Sequence, residues 1–352
     1  MNAKARNYNG IDIFKFFFAL CVVACHVPIY HTQSTSPFSA YGFFSTVINS
    51  AVPFFFISNG FFIASKLNSS TTNSDNRDII KSNIKKYIVL YLIWTVLYMP
   101  ITIYHYIVSD ISPLGIAVDF FFGLVFLGEH WCSWSLWYLC SLIWSLVLIW
   151  ICIHGKKANI ILAAVSMILF VFAFIYGHYL SSINFLPIKL FRVIVGPTGR
   201  QFTAPLYLVL GMYLGKHEYS RLVGFILTVV GFLISPLFPS AGGGFYSEPS
   251  LLLIATGVFI VAASLKIPDS DCFVFLRTSS TVLYFTHLFI YTVICLTFLG
   301  GLTAGGELYF LVVAVCVLLS IPVFILEKKI NFPVWSFRDV GQKTKQYSFI
   351  EG

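Results

Sequence analysis

The chain has 352 residues, 58% of them hydrophobic and 10% charged, with a formal net charge of +8 and a mean hydropathy of +0.85. A soluble domain carries about a quarter charged residues, so a water-soluble fold could not hide this much apolar surface, and the lipid bilayer is the expected solvent. The positive charge does not point to nucleic acid, because lysines and arginines sit in short loops and no basic face accumulates along the sequence; a membrane protein with its basic loops inside gives the same total.

No soluble stretch exceeds roughly 25 residues, so a single membrane domain over 1–352 accounts for the chain, with a short basic tail over 328–352. Eight cysteines are scattered, most within apolar runs, and none forms a CxxC pair. They are expected to be small packing thiols, with neither a disulfide framework nor a metal site.

The first apolar run, Ile13 to Ile29, is broken by a Lys and a His and is followed by no small-residue cleavage site. It is expected to be a retained first span rather than a signal peptide. Apolar runs then place spans near 12–30, 42–65, 87–107, 134–153, 159–180, 201–215, 222–238, 250–265, 281–300 and 307–326. The run 114–127 is short and holds Asp119, and reads as an interfacial or re-entrant segment. The expected fold is therefore all-α and integral to the membrane, with about ten transmembrane helices and both termini cytoplasmic.

The charges support that alternation. Lys4 and Arg6, the basic loops 66–86, 154–158, 216–221 and 266–280, and the C-terminal tail all fall on one side. Loops 31–41, 108–133, 239–249 and 301–306 fall on the other and contain no Lys or Arg. The positive-inside rule makes the basic side cytoplasmic, placing Asn73 inside and Gly243 outside.

Four basic residues break this pattern: Lys15, Lys189, Arg192 and Arg200. Charge at membrane depth is costly, which makes such residues functional candidates. Lys15 lies within the first span, and Asp12 precedes it at a spacing that lets the two pair. His26 follows Lys15 by eleven residues, about 20° past three full helical turns, so the two share one face roughly 16 Å apart along the axis. His287 falls in the inner half of the span 281–300. A snorkelling lysine and histidines hydrogen-bonded between helices are the competing reading for these positions.

The segment 181–200 carries Lys189, Arg192 and Arg200 among Pro187, Gly196, Pro197 and Gly199, which stop a regular helix. It reads either as an outer-mouth site for an anion or polar substrate or as a loop translocated despite its charge. The aromatic run Trp131 to Tyr138 at the outer edge of the fourth span suits an interfacial belt. No P-loop, dinucleotide fingerprint, HExxH or GxSxG occurs.

Taken together, these residues resemble the acyltransferase-3 family of integral membrane proteins. Its first span carries an Arg, ten residues, then a His; here Lys15 and His26 keep that spacing. Val52–Pro53–Phe54–Phe55–Phe56–Ile57–Ser58–Asn59–Gly60–Phe61 is similar to its V-P-F-F-F-x-S-G-Y/F segment, and Ser135–Leu136–Trp137–Tyr138–Leu139 to its H-L-W-F/Y-L segment. Arg200 through Pro205 to Gly211 resembles its R…P…G span, and Tyr284–Phe285–Thr286–His287 its Y-x-x-H segment. The resemblance runs over roughly 7–327 and looks closest to the membrane half of the vancomycin-resistance serine racemases, which are linked to serine uptake. No racemase domain is expected after Gly352. Lys15 stands where the family has Arg, so a bidentate contact becomes a point charge, and Ser135 stands where a His is common.

The resemblance implies a membrane acyltransferase moving a short acyl group, acetyl from acetyl-CoA or another acyl-CoA, onto a hydroxyl of an envelope glycan or similar small-molecule acceptor in the cell membrane. His26 would be the general base, Lys15 would attract the anionic donor, and His287 would line the same cavity. Arg200, with Arg192 and Lys189, would hold the acceptor or polarise the acyl carbonyl from outside, with Trp137 and Asp12 as further contacts. No metal is expected, and the sequence names no protein partner. The alternative is a transport or sensing module for a small polar molecule such as serine.

Overall fold

The computed structural model describes residues 8–27, 29, 39–67, 73–153, 158–238, 246–297 and 305–330. Lys4, Arg6, Lys156, Lys157, Gly243 and the tail from 331 lie outside the described residues. With no water in the bilayer core, backbone polar groups must be satisfied within each segment, and the described residues form helices with no strand.

In chain order the helices are α1 (Asn9–His26), α2 (Ala40–Asn49), α3 (Ala51–Ala64), α4 (Asn73–Val108), α5 (Pro113–Phe122), α6 (Trp137–Cys152) and α7 (Ala158–Ile175). They continue as α8 (Leu186–Val195), α9 (Ala204–Leu214), α10 (Arg221–Ile234), α11 (Pro249–Ser264), α12 (Asp271–Thr297) and α13 (Gly306–Ile330). Among the described residues, seven helical stretches are long and apolar enough to cross a membrane: Asn9–His26, Ala40–Ala64, Asp75–Val108, Trp134–Cys152, Ala158–Leu180, Asp271–Thr297 and Gly306–Lys329. This is a multi-pass helical membrane protein. The other three expected spans fall on α9, α10 and α11, of 11, 14 and 16 residues. At about 1.5 Å per residue these run shorter than a hydrocarbon core of roughly 30 Å.

Two segments differ from the sequence reading in a way that matters. The basic residues Arg77, Lys81, Lys85 and Lys86 do not sit in a loop but on the first turns of α4, a helix of 36 residues. Arg77 covers the Trp150 ring near the end of α6 at 4.3 Å, so those two helix ends lie together. The segment 181–200 is not irregular throughout. Pro187 sits in the first turn of α8, where its missing N–H costs nothing, and Gly196 ends the helix at φ +72°. The expected short segment 114–127 is α5 followed by a π-helical turn, Gly123–Leu127.

The centre of the bundle is α3. Every residue of it except Phe62 is buried, and it packs along α9. Glycine permits that approach: a Cβ on Gly60 would collide with the carbonyl oxygen of Leu208, and one on Gly211 with that of Ile57. Around this pair α1 packs on α12, α12 on α13, α4 on α6, and α10 on α11. The outer faces of α4, α7, α10 and α13 carry exposed large apolar side chains, as a lipid-facing surface requires.

Candidate active site

Helix α1 carries two groups of different character at its two ends. At its C-terminal end, the His26 ring lies 5.3 Å from the His287 ring of α12, centroid to centroid. His287 is fully buried. Its Nδ1 lies 2.8 Å from the Leu283 carbonyl. A carbonyl only accepts, so Nδ1 carries the proton and the neutral ring keeps its lone pair on Nε2. Nε2 is buried with no hydrogen-bond partner among the described residues.

Trp134 stacks loosely against His26, with ring centroids 6.4 Å apart. Beside it, Arg200 lies over the Trp137 ring at 4.6 Å and forms an ion pair with Glu129. Tyr246 stacks on Trp137 at 5.1 Å and closes that side. Local structure explains why these residues meet. The 3₁₀ turn Trp134–Leu136 swings the tryptophans to the start of α6. Gly199, in the left-handed region at φ +59°, precedes the 3₁₀ turn Arg200–Phe202 that leads into α9.

At the other end of α1, Lys15 is buried at 7% exposure, with Nζ 4.8 Å from the Phe62 ring. Arg277 takes both oxygens of Asp12, through Nε to Oδ1 at 2.9 Å and Nη2 to Oδ2 at 2.5 Å. The apolar run begins only at 281, which leaves Arg277 in the expected loop 266–280. Helix α12 starts ten residues earlier, at Asp271. That shift also moves His287 from the inner half of its span to the level of His26. Nearby, Thr278 donates to Glu327 at 2.7 Å, and Asn9 donates to the Ile267 and Pro268 carbonyls and to Asp269.

The structure therefore gathers His26, His287, Arg200 and Trp137 into one cluster and sets Asp12 and Lys15 in another. Of the remaining candidates, Lys189 is exposed on α8, and Arg192 donates to the Ile183 carbonyl at 3.5 Å. Neither stands in the ring cluster. Sequence reasoning passed over Glu129, Trp134, Tyr246 and Arg277. A signal for Glu129 existed: an arginine expected in an outer loop needs a counter-charge, and the expected outer loops offer few carboxylates.

The segments singled out in the sequence also touch one another. Tyr284 donates from its hydroxyl to the Ser135 carbonyl at 3.0 Å. Asn59 donates to the Tyr138 hydroxyl and accepts from Tyr87 at 2.9 Å. Ser135 is buried, and its Oγ has no partner among the described residues.

A family model described as an acyltransferase domain, that of the acyltransferase-3 family, matches residues 8–327. The chain belongs to this family. Its acyltransferase-3 domain holds all five of the matched segments, and both ring-cluster histidines lie within it. Among curated proteins, the domain is similar to an amino-acid racemase of Enterococcus faecalis, 30% identical over 243 residues, covering 65% of this chain and 32% of the relative. It is also similar to a serine/alanine racemase of Enterococcus gallinarum, 26% identical over 244 residues, covering 65% of this chain and 33% of the relative. The chain thus spans about a third of the length of these relatives. No solved structure matches it.

Proposed function

We propose that the chain transfers a short acyl group, acetyl from acetyl-CoA or another acyl-CoA, onto a hydroxyl of an envelope glycan or a similar acceptor, in the cell membrane and with both termini in the cytoplasm. The observation that carries this reading is the pair of imidazole rings, His26 and His287, 5.3 Å apart, with Trp134 stacked on His26 and Arg200 over Trp137, three residues further on. Acyl transfer to an alcohol needs a base for the hydroxyl proton and a positive charge where the carbonyl oxygen becomes negative. In this reading His26 takes the acceptor's proton as its oxygen attacks the thioester carbonyl. Arg200, oriented by Glu129 and the Trp137 face, stabilises the oxyanion. The C–S bond then breaks, and the thiolate leaves with the proton that His26 returns. His287, with its free Nε2, orients or relays for His26.

Lys15 has a separate part. It stands about 16 Å down α1 from His26, at the basic end, and attracts the anionic donor. Lys189 and Arg192 on α8 hold the acceptor at the outer edge rather than at the reacting atoms, and Asp12 acts through Arg277 by fixing the helix ends around Lys15.

One observation favours a second reading, a transport or sensing module for a small polar molecule such as serine: the relatives are named as amino-acid and serine/alanine racemases. Thermal stability of the purified chain in detergent separates the two. A ligand that binds only the folded state adds RT ln(1 + [L]/Kd), about 2.7 kcal/mol at a hundredfold excess over Kd. Acetyl-CoA is expected to raise the melting temperature and to release CoA thiol when an acceptor is supplied. Stabilisation by serine, with none from millimolar acetyl-CoA, sinks acyl transfer.

A further inference from the structure

A cavity of about 570 Å³ opens at the basic end of the bundle, between the start of α1, the end of α9, the start of α10 and the end of α11. Lys216, His217, Arg221 and Lys266 line it. These residues come from two stretches of chain, 216–221 and 266, and only packing brings them to one wall. Glu218 is the single acidic lining residue. Its charge leaves an excess from three fixed cations.

The potential there is raised further by the placement of Arg221. It is the first residue of α10, the positive end of that helix dipole, where a cation is unfavourable. Its guanidinium turns across to the Ser264 carbonyl at 3.0 Å, which fixes one donor and leaves the others available. His217 is likewise oriented, its Nδ1 donating to the Tyr213 carbonyl at 2.8 Å. Tyr8 and Tyr219 supply aromatic surface in the same wall. Cations converging with a helix N-terminus on a concave wall form the usual recognition chemistry for phosphate, and basic pockets between helices at the cytoplasmic side also take lipid head groups. The cavity is distinct from the ring cluster: Tyr8 precedes His26 by 18 residues, roughly 27 Å along α1.

We infer that this cavity is a binding site for a phosphate-bearing anion, supplied either as a soluble nucleotide-type ligand or as a lipid head group. The soluble-ligand arm of this inference rests on the acyl-transfer reading, whose donor is a coenzyme A thioester, while the lipid arm does not. The test compares the purified chain with Lys216→Gln/Lys266→Gln, whose side chains are exposed, and with the charge-matched Lys81→Gln/Lys85→Gln on α4. Binding of coenzyme A lacking an acyl group is measured by calorimetry in neutral detergent, and retention of phosphatidylglycerol by native mass spectrometry. The cavity variant is expected to lose at least tenfold in affinity for one of the two probes at an unchanged ligand-free melting temperature, with the α4 control unaffected. Loss confined to coenzyme A assigns a soluble ligand, and loss confined to phosphatidylglycerol assigns a lipid head group. The inference is overturned if the intact chain binds neither probe, or if the α4 control weakens binding as much as the cavity variant. His26→Ala should leave both affinities intact, so failure of the acyl-transfer reading and failure of this one are separable.

Discussion

The two ends of α1 solve opposite electrostatic problems. At the Lys15 end, charges are buried in numbers and compensate one another: Asp12 is clasped by Arg277, and Glu327 receives Thr278. At the His26 end, the buried groups are rings that can exist uncharged, and the nearby ion pair of Arg200 with Glu129 keeps some exposure on both partners. A buried ion pair tolerates no loss of one member, because the other charge is stranded. A neutral imidazole carries no charge to strand, and the desolvation cost of protonating it arises only when a proton is taken up. The first arrangement suits anchoring of helix ends, and the second suits chemistry.

The sharpest way to break this contrast is to remove the ring. His26→Ala should lower CoA-thiol release by about 10²–10⁴-fold, the usual contribution of a positioned acid–base group, while the protein still inserts and keeps its melting temperature. Retained activity within tenfold would remove His26 from the reacting centre. In the same assay Lys15→Met should impair turnover, whereas Lys15→Arg, which keeps the charge, should not.

For the Asp12–Arg277 pair the effect should appear in stability rather than turnover. Asp12→Asn leaves Arg277 without its carboxylate, and breaking a buried pair costs about 3–5 kcal/mol. A fall in melting temperature with little change in turnover per folded molecule is expected. Loss of turnover with no thermal change would erase the distinction between the ends.

A pH experiment sharpens the comparison at the His26 end. Glu248, just before α11, is 3% exposed, and burial raises its pKa to about 8 from an ordinary 4.5, against a smaller opposing effect of the Ser250 hydroxyl. The folded state thus holds a proton that the unfolded chain has released. Stability should be fullest below about pH 4.5 for this group and fall as pH rises towards about 8, by up to about 1.4 kcal/mol per pH unit. Glu248→Gln, measured by melting temperature from pH 5 to 9, should flatten that slope. An unchanged slope would show that another group sets it.

The smallest effect is expected from Glu129→Gln. Its pairing with Arg200 is partly exposed, and such pairs contribute about 1 kcal/mol or less to stability. Turnover should drop while the melting temperature barely moves, because Arg200 keeps the Trp137 face but loses the group that aims it. A large thermal loss would mean that the pair anchors the fold, as at the Lys15 end.

How much of this was legible in the chain depends on the range of the interaction. Composition and the lengths of apolar runs determined an all-helical membrane protein, because in lipid each segment must satisfy its own backbone and local hydropathy reports that directly. Spacing within one helix placed Lys15 and His26 on a shared face, since helical geometry is fixed by residue number alone. The motif residues Arg200, Trp137 and His287 could be singled out, but not their neighbours. Only the tertiary structure decided that Arg277 pairs with Asp12 across 265 positions, that Glu129 meets Arg200 across 71, and that Lys216, Arg221 and Lys266 surround one cavity. Asp12 meets Arg277 because α1 packs on α12, and α10 packs on α11 beside the cavity, while α3 and α9 approach closely at Gly60 and Gly211, where no side chain intervenes. Helix packing of that kind sets distances between residues far apart in sequence, and no local pattern encodes them.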